Sequence, residues 1–225
     1  MHVLMSRSIL GTQEMVDVLK DKLKQHHNVA VLLFSAFDNQ FKNSKEYHAF
    51  YAPGSEYYNK IVDSFKPYGI DEKNITWIFE DSDHQDTIIH QIEKADIIYF
   101  PGGAPDMMMK RIIQKGIKET LENHQKIYIG SSAGAMIQFK NYHISPDSEY
   151  PYFRYEEGLN LLKGFSIEVH YRRRKKQKAG MRKVFRAYRH PIFTIPDDGA
   201  LIVLEDEFIL VGTTDLMYDH KGIYR

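Results

Sequence analysis

A serine flanked by small residues lies where nucleophilic chemistry could occur. Residues 130–134 read Gly-Ser-Ser-Ala-Gly and fit the pattern Gly-x-Ser-x-Gly, with Ser132 at its centre. The apolar run at residues 126–129 predicts a strand before this pentapeptide, and a helix is predicted to start near Ala133. A serine on such a strand-to-helix turn exposes its hydroxyl above the sheet edge. The alternative is an ordinary tight turn with a buried serine, because the bare pentapeptide is a weak signal.

Two backbone N–H groups could stabilise the oxyanion that forms when such a serine attacks a carbonyl. The N–H of Ala133 would point toward this oxyanion from the positive end of the predicted helix. Residues 101–104 read Pro-Gly-Gly-Ala and end another predicted strand, at the edge where open α/β sheets bind ligands. Gly102 and Gly103 would expose N–H groups there. Taken alone, the segment is typical of a plain strand-to-helix turn.

A serine nucleophile needs a base to take its proton and an acid to orient that base. Among 11 histidines, His170 is the candidate base. Residues 167–171 read Ile-Glu-Val-His-Tyr, which predicts a strand with apolar side chains on one face and His170 on the other. An exposed strand histidine is the alternative. The candidate acids are Asp197 after a predicted apolar strand, its neighbour Asp198, and the loop residue Asp147; each could be a turn aspartate.

The elements around these residues alternate between short apolar runs and helical patterns. Strands are predicted at residues 3–5, 29–34, 75–79, 96–100, 126–129, 167–171, 192–195 and 200–211. Helices are predicted to follow residues 12, 55 and 83, to cover 106–115 and 117–124, and to form a basic segment at 175–189. Five strand–helix alternations indicate a mostly parallel sheet with helices on both faces. We therefore expect an α/β fold, a three-layer α/β/α sandwich, in a single domain over 1–225.

Composition excludes several classes of protein. The 225 residues include 30 Lys+Arg and 30 Asp+Glu, and this neutral balance argues against a nucleic-acid partner. The chain has no cysteine, which excludes disulfides, thiolate metal sites and a cysteine nucleophile. The N-terminal residues do not predict a signal peptide, and no apolar run approaches the roughly 20 residues that span a bilayer. We expect a soluble cytoplasmic protein with no membrane partner.

Together the motifs resemble peptidase family S51, which includes peptidase E (aspartyl dipeptidase) and cyanophycinase and has a class I glutamine amidotransferase-like fold. The resemblance covers residues 3 to about 212. Its segments are Ile-Ile-Tyr-Phe-Pro-Gly-Gly at 97–103, Ile-Gly-Ser-Ser-Ala-Gly-Ala at 129–135, Gly-Leu at 158–159, Val-His-Tyr at 169–171 and Ile-Pro-Asp-Asp at 195–198. It implies Ser132 as nucleophile, His170 as base and Asp197 as acid, with Asp147 as a second implicated aspartate. It also implies that the N–H groups of Gly103 and Ala133 form the oxyanion hole.

The chain departs from the family pattern at two positions. Peptidase E carries glutamate where Asp197 stands, and the family often has asparagine where Ala104 follows the two glycines. The order Ser–His–Asp differs from the Ser–Asp/Glu–His order of α/β-hydrolases, which disfavours an ordinary lipase or esterase. The sequence therefore predicts a serine peptidase that cleaves small peptides without a metal or organic cofactor. The alternatives are an inactive binding protein of this fold and an esterase or acyl transferase with the same triad; a homodimer is left open.

A basic stretch, Arg172-Arg173-Arg174-Lys175-Lys176, follows the candidate base. A solvated basic face is the simplest interpretation, and nucleic-acid contact is the least favoured because the chain is neutral. The third interpretation is substrate recognition, since a guanidinium can pair bidentately with a carboxylate. Arg182 lies in the region where peptidase E carries its acid-binding arginine. The resemblance thus implies dipeptides with an acidic residue as substrates, with Gly102 and Arg182 as binding residues.

Overall fold

In the computed structural model, strands and helices alternate as far as Met136, and strands predominate after it. The structure describes residues 1–123, 125–205, 207–219 and 222–223. The strands are β1 (His2–Met5), β2 (Val29–Leu33), β3 (Ile75–Phe79), β4 (Ile97–Phe100), β5 (Ile127–Ser131), β6 (Asn141–Ile144), β7 (Arg154–Glu157), β8 (Ser166–Val169), β9 (Ile192–Ile195), β10 (Ala200–Leu204), β11 (Glu207–Val211), β12 (Asp215–Asp219) and β13 (Gly222–Ile223). The helices are α1 (Gln13–Leu19), α2 (Ser44–Phe50), α3 (Glu56–Phe65), α4 (Gln85–Lys94), α5 (Pro105–Gln114), α6 (Lys118–Asn123), α7 (Ala133–Met136) and α8 (Lys175–Tyr188).

The central sheet has seven strands in the order β11-β10-β1-β5-β4-β2-β3. Neighbouring strands from β1 to β3 pair in parallel, whereas β10 pairs antiparallel with both β1 and β11. The predicted α/β fold with a mostly parallel central sheet is confirmed. Since parallel strands share one carboxyl edge, the segments after β1, β4 and β5 emerge side by side, which brings residues 6, 102 and 132 together.

Apolar residues on the two faces of this sheet form two separate cores. Strand β2 is buried along its whole length; Leu32 packs into one core and Val31 into the other. Strand β4 alternates in the same way, with Phe100 on the first face and Tyr99 on the second. Such continuous apolar runs are expected of strands covered on both faces, and they fix the sheet that carries the loops described below.

A smaller sheet brings the C-terminal third of the chain to the same edge. Its order is β13-β12-β9-β8, and β8 pairs in parallel with β9, with Val169 opposite Ile195. The residues that follow these two positions therefore leave the sheet next to each other. The hairpin of β6 and β7 and helix α8 lie near this sheet.

Several predicted boundaries differ from the observed ones. The helix predicted to begin directly after Asp83 is α4, but its N-cap is His84, and the Asp83 carboxylate accepts a hydrogen bond from the backbone N–H of Phe79. No helix or strand is predicted over residues 38–51, but this segment contains α2. The single strand predicted over residues 200–211 is instead the hairpin of β10 and β11. The helix predicted over residues 117–124 would end at His124, which lies outside the described residues. Among the described residues, no helix has the length and apolar character needed to cross a bilayer.

Helix α5 offers a matched test of the core packing. Ile112 is fully buried, whereas the next residue, Ile113, is 60% exposed. Replacing Ile112 with Ala should lower the free energy of unfolding by about 2–5 kcal/mol, because it removes buried methyl groups and leaves a cavity. Urea unfolding would measure it. Ile113→Ala is the control and should change stability by less than about 0.5 kcal/mol; equal losses at the two positions would contradict the burial of this helix face.

Candidate active site

Ser132 lies on a sharp turn between β5 and α7. Its backbone has φ 49° and ψ −112°, a conformation that costs a non-glycine residue on the order of 1–3 kcal/mol. Its N–H donates to the carbonyl oxygen of Met5 at 2.8 Å, which ties the turn to β1. Small residues are required on both sides: a Cβ on Gly130 would lie 2.2 Å from the oxygen of Gly134, and one on Gly134 would lie 2.0 Å from the oxygen of Phe100. The strained turn thus holds the Ser132 hydroxyl at the sheet edge.

His170 follows β8 and is also held in the left-handed region, with φ 50°. Its backbone N–H donates to the hydroxyl of Ser6 at 2.8 Å, and its carbonyl oxygen accepts from the Gln177 amide at 2.9 Å. The Ser6 hydroxyl in turn donates to the carbonyl oxygen of Ile195. With its backbone fixed in this way, the imidazole places Nε2 2.9 Å from Oγ of Ser132.

The carboxylate of Asp197 lies on the other side of the imidazole. Its Oδ1 is 2.6 Å from Nδ1 of His170, so the shorter acid spans the distance to the ring. Its Oδ2 accepts from the Arg172 guanidinium at 2.6 Å and lies 3.3 Å from Nε of Arg7. An acceptor at Nδ1 fixes the proton there and leaves Nε2 free to accept from a hydroxyl.

The surroundings of Asp197 keep it ionised. Burial alone would raise the pKa of its carboxyl group, but the hydrogen bonds from His170 and Arg172, together with the nearby charge of Arg7, lower this pKa to about 2. Because Arg7 and Arg172 both contact Oδ2, the other oxygen, Oδ1, is left to accept a hydrogen bond from the imidazole. Neither Arg7 nor Arg172 could be assigned to this role from the sequence, because the role depends on where β1 ends relative to β9.

The two residues whose N–H groups are predicted to bind an oxyanion, Gly103 and Ala133, lie after β4 and directly after Ser132. Ala133 is the first residue of α7 and therefore has no intrahelical acceptor for its N–H. Gly103 has φ 143°, and a Cβ there would lie 2.2 Å from the carbonyl oxygen of Ser35, so only glycine fits. Ser35 fixes this loop, since its hydroxyl donates to the oxygen of Gly102 at 2.7 Å and its carbonyl accepts from Ala104 at 2.8 Å. Ala104 itself is fully buried.

Two cavities adjoin Ser132 and His170. The first, of about 360 Å³, is also lined by Gly103 and, among others, Glu168, Asp147 and Arg174; we call it the acidic cavity. The second, of about 290 Å³, is lined by the polar or charged side chains of Ser6, Arg7, Ser8, Tyr57, Lys60, Tyr99 and Ser131, by Ile61 and by Gly102; we call it the basic cavity.

Asp147, Asp198 and Arg182 make no hydrogen bond to the His170 imidazole in the described part of the chain. Asp147 lines the acidic cavity, but its carboxylate accepts from the backbone N–H groups of Glu149 and Tyr150. Asp198 accepts from the Thr213 hydroxyl at 2.6 Å. Arg182 is exposed on α8 and is not among the residues that line either cavity.

The chain matches the family model of peptidase family S51 over residues 23–211. The chain belongs to peptidase family S51. Family membership makes it a serine-type peptidase, in agreement with the enzyme class expected from the sequence. Comparison with functionally curated proteins finds no match. Two solved structures have a fold similar to that of this chain.

A candidate peptidase E protein from Listeria monocytogenes EGD-e has a crystal structure similar to this S51 chain. It is 20% identical, with a TM-score of 0.65, and the alignment covers 93% of this chain and 96% of that one. A peptidase from an acI-B1 Actinobacterium is 14% identical with a TM-score of 0.62, over 94% of this chain and 86% of that one. At these identities the likeness concerns the fold.

Arg172 provides a test of the electrostatics around Asp197. Because the folded pKa of Asp197 is lowered from 3.8 to about 2, its ionised form stabilises the folded state above pH 3.8, and this contribution is lost as the pH falls through about 2. Arg172→Met should raise the folded pKa and so reduce the contribution. The difference in unfolding free energy between wild type and variant should therefore be largest above pH 4 and shrink toward pH 2. Urea unfolding at several pH values would measure it.

Arg173→Met is the control for this experiment. Arg173 is exposed and neighbours Arg172 in sequence, and it makes no ion pair with Asp197 among the contacts of the described chain. Its replacement should give a stability difference that does not vary with pH in this window. A pH-independent difference for Arg172→Met as well would contradict the coupling to Asp197.

Proposed function

We propose that this S51 peptidase hydrolyses small peptides through a triad of Ser132, His170 and Asp197. The observation that carries the proposal is the continuous chain of hydrogen bonds from Oγ of Ser132 to Nε2 of His170 at 2.9 Å and from Nδ1 to the carboxylate of Asp197 at 2.6 Å. A serine within hydrogen-bond reach of a base that is itself oriented by an acid is the arrangement that nucleophilic catalysis needs.

In the proposed acylation step, Oγ of Ser132 attacks the carbonyl carbon of the scissile bond while Nε2 of His170 takes the hydroxyl proton. The imidazolium that forms is stabilised by the carboxylate of Asp197, which stays ionised. The carbonyl oxygen becomes an oxyanion and accepts from the N–H groups of Gly103 and Ala133. Losing one such donor typically costs about 3 kcal/mol of transition-state stabilisation.

In the steps that follow, Nε2 of His170 gives its proton to the leaving amine, and the C–N bond breaks. A water molecule then attacks the acyl-enzyme, with His170 again taking a proton, and the ester bond to Ser132 breaks. His170 gives the first proton to the leaving amine and the second, taken from water, to Oγ of Ser132, so the triad ends as it began. The side chains present supply every acid and base that this sequence of steps uses.

The size and charge of the two cavities support short substrates that carry an acidic residue. Their volumes of about 360 and 290 Å³ suit a few residues of peptide rather than a folded protein. The basic cavity offers Lys60 to a carboxylate, beside Arg7, whose Nε also lies 3.3 Å from Asp197. We propose this cavity, rather than the region of Arg182, as the place where an acidic group binds. Action in the cytoplasm remains a prediction from the sequence.

Replacement of Ser132 tests the nucleophile directly. Ser132→Ala should lower kcat for peptide hydrolysis by at least about 10³-fold and abolish labelling by a fluorophosphonate probe, because only an activated serine reacts with it. Ser64→Ala is the control: this serine is buried on α3, with its hydroxyl bonded to the oxygen of Ile61, and the variant should label and cleave like wild type. Labelling that persists in Ser132→Ala would contradict the assignment.

Lys60 tests the preference for acidic substrates. Lys60 is exposed at the basic cavity, so Lys60→Gln should raise KM for the dipeptide Asp-Leu by about twofold to fivefold, as expected for an exposed ion pair, and leave KM for Ala-Leu unchanged. Lys20→Gln, an exposed change outside both cavities, is the control. Equal increases in KM for both dipeptides would remove the acidic preference.

A further inference from the structure

A buried carboxylate that the proposed mechanism does not use lines the acidic cavity. Glu168, on β8, has a side chain only 4% exposed, and its partner His143, on β6, has one only 3% exposed. Both residues line the cavity that also contains Ser132 and His170. A charged side chain is almost never this deeply buried unless it is paired or serves a binding site.

The side-chain hydrogen bonds that Glu168 makes with described residues all end at one of its two carboxylate oxygens. Oε2 accepts from Nε2 of His143 at 2.8 Å and from the Ser145 hydroxyl at 2.8 Å. Within the described part of the chain, no hydrogen bond ends at Oε1. An ionised carboxylate accepts at both oxygens, so Oε1 remains available to a donor that enters the cavity.

The charges around Glu168 make this cavity suited to a cation. Asp147 and Glu149 add two further carboxylates to its lining. Of the two arginines that line it, Arg172 is bound to Asp197 at 2.6 Å, which leaves Arg174, an exposed residue at the start of α8. The lining therefore contains the carboxylates of Glu168, Asp147 and Glu149 and one arginine that is not bound to Asp197, whereas the lining of the basic cavity contains no carboxylate side chain among the described residues.

Glu168 shares the acidic cavity with the proposed catalytic side chains. It lies two residues before His170, on β8, and Glu168, Ser132 and His170 all line this cavity. A peptide whose carbonyl carbon lies at Ser132 carries its α-nitrogen two bonds away, and a lysine side chain reaches further. An ammonium group of a peptide bound at Ser132 can therefore enter the cavity that Glu168 lines.

We propose that Glu168, held by His143 and Ser145, is the subsite that binds an ammonium group of the peptide substrate. The proposal rests on the proposed function, since it assigns a specificity-determining residue to the same site. A free α-amino terminus and a basic side chain both supply this chemistry. Binding there would orient the peptide so that its carbonyl carbon faces Ser132, and peptides without an ammonium group would lose the contact.

Binding to the Ser132→Ala protein tests the subsite without requiring turnover. Three probes separate the sources of the ammonium group: alanyl-leucine has only an α-ammonium, N-acetyl-lysyl-leucine has only a side-chain ammonium, and N-acetyl-alanyl-leucine has neither. Isothermal titration calorimetry would give Kd for each. At least one ammonium-bearing probe should bind about 10- to 100-fold more tightly than N-acetyl-alanyl-leucine, as expected for a charge-assisted hydrogen bond.

Adding Glu168→Gln in the same background should remove that advantage, whereas Glu149→Gln, an identical chemical change at an exposed residue of the same cavity, should keep most of it. The probe that loses affinity identifies the α-amino or the side-chain source. Equal Kd values for all three probes, no binding of either ammonium-bearing probe, or an advantage that survives Glu168→Gln would overturn the proposal. If Glu168→Gln does not fold, the comparison of the three probes on the Glu168-containing protein decides.

The outcome is independent of whether Ser132 is the nucleophile. Fluorophosphonate labelling of the wild-type protein tests the nucleophile separately, because the probe carries no ammonium group. Normal labelling with equal Kd values would remove the subsite alone. If wild type is not labelled, but Glu168→Gln selectively weakens binding of an ammonium-bearing probe, the proposed catalysis is contradicted and the proposed subsite is supported.

Discussion

The position of the His170 imidazole governs the chemistry that this site can perform. The ring is hydrogen-bonded at both nitrogens, to Ser132 and to Asp197, and the three side chains come from the ends of β5, β8 and β9, in two different sheets. The Ser6 hydroxyl joins these sheets, because it accepts from the N–H of His170 and donates to Ile195 two residues before Asp197. The geometry of the site thus depends on how the small sheet is attached to the end of β1.

The fold accepts backbone strain in order to keep this geometry. Ser132 and His170 both have positive φ, at a cost on the order of 1–3 kcal/mol each, and Gly103 has a conformation that only glycine adopts readily. Each strained residue is fixed by a hydrogen bond or by close packing against β1, Ser35 or Gln177. In the proposed mechanism, the nucleophile, the base and the oxyanion donors would therefore be arranged before substrate arrives, which is the condition under which electrostatic stabilisation is most effective.

Local patterns in the sequence predict much of this structure but not the contacts between distant segments. The five parallel strands follow from short apolar runs, and the Ser132 turn follows from small residues between a strand and a helix. The alternation at residues 167–171 places Glu168 on the face opposite to the apolar side chains, yet Glu168 is buried there as well, because His143 of the β6–β7 hairpin pairs with it. The pairing of Arg7 and Arg172 with Asp197 joins segments 190 and 25 residues apart along the chain, and no local periodicity indicates it.

The most direct test of the account is a crystal structure of the protein after reaction with diisopropyl fluorophosphate. The account predicts a phosphorus–oxygen bond at Oγ of Ser132, with the phosphoryl oxygen about 2.7–3.1 Å from the backbone nitrogens of Gly103 and Ala133. It also predicts that Nδ1 of His170 remains bonded to Asp197. An unmodified Ser132, or a phosphoryl oxygen directed away from those two nitrogens, would contradict it.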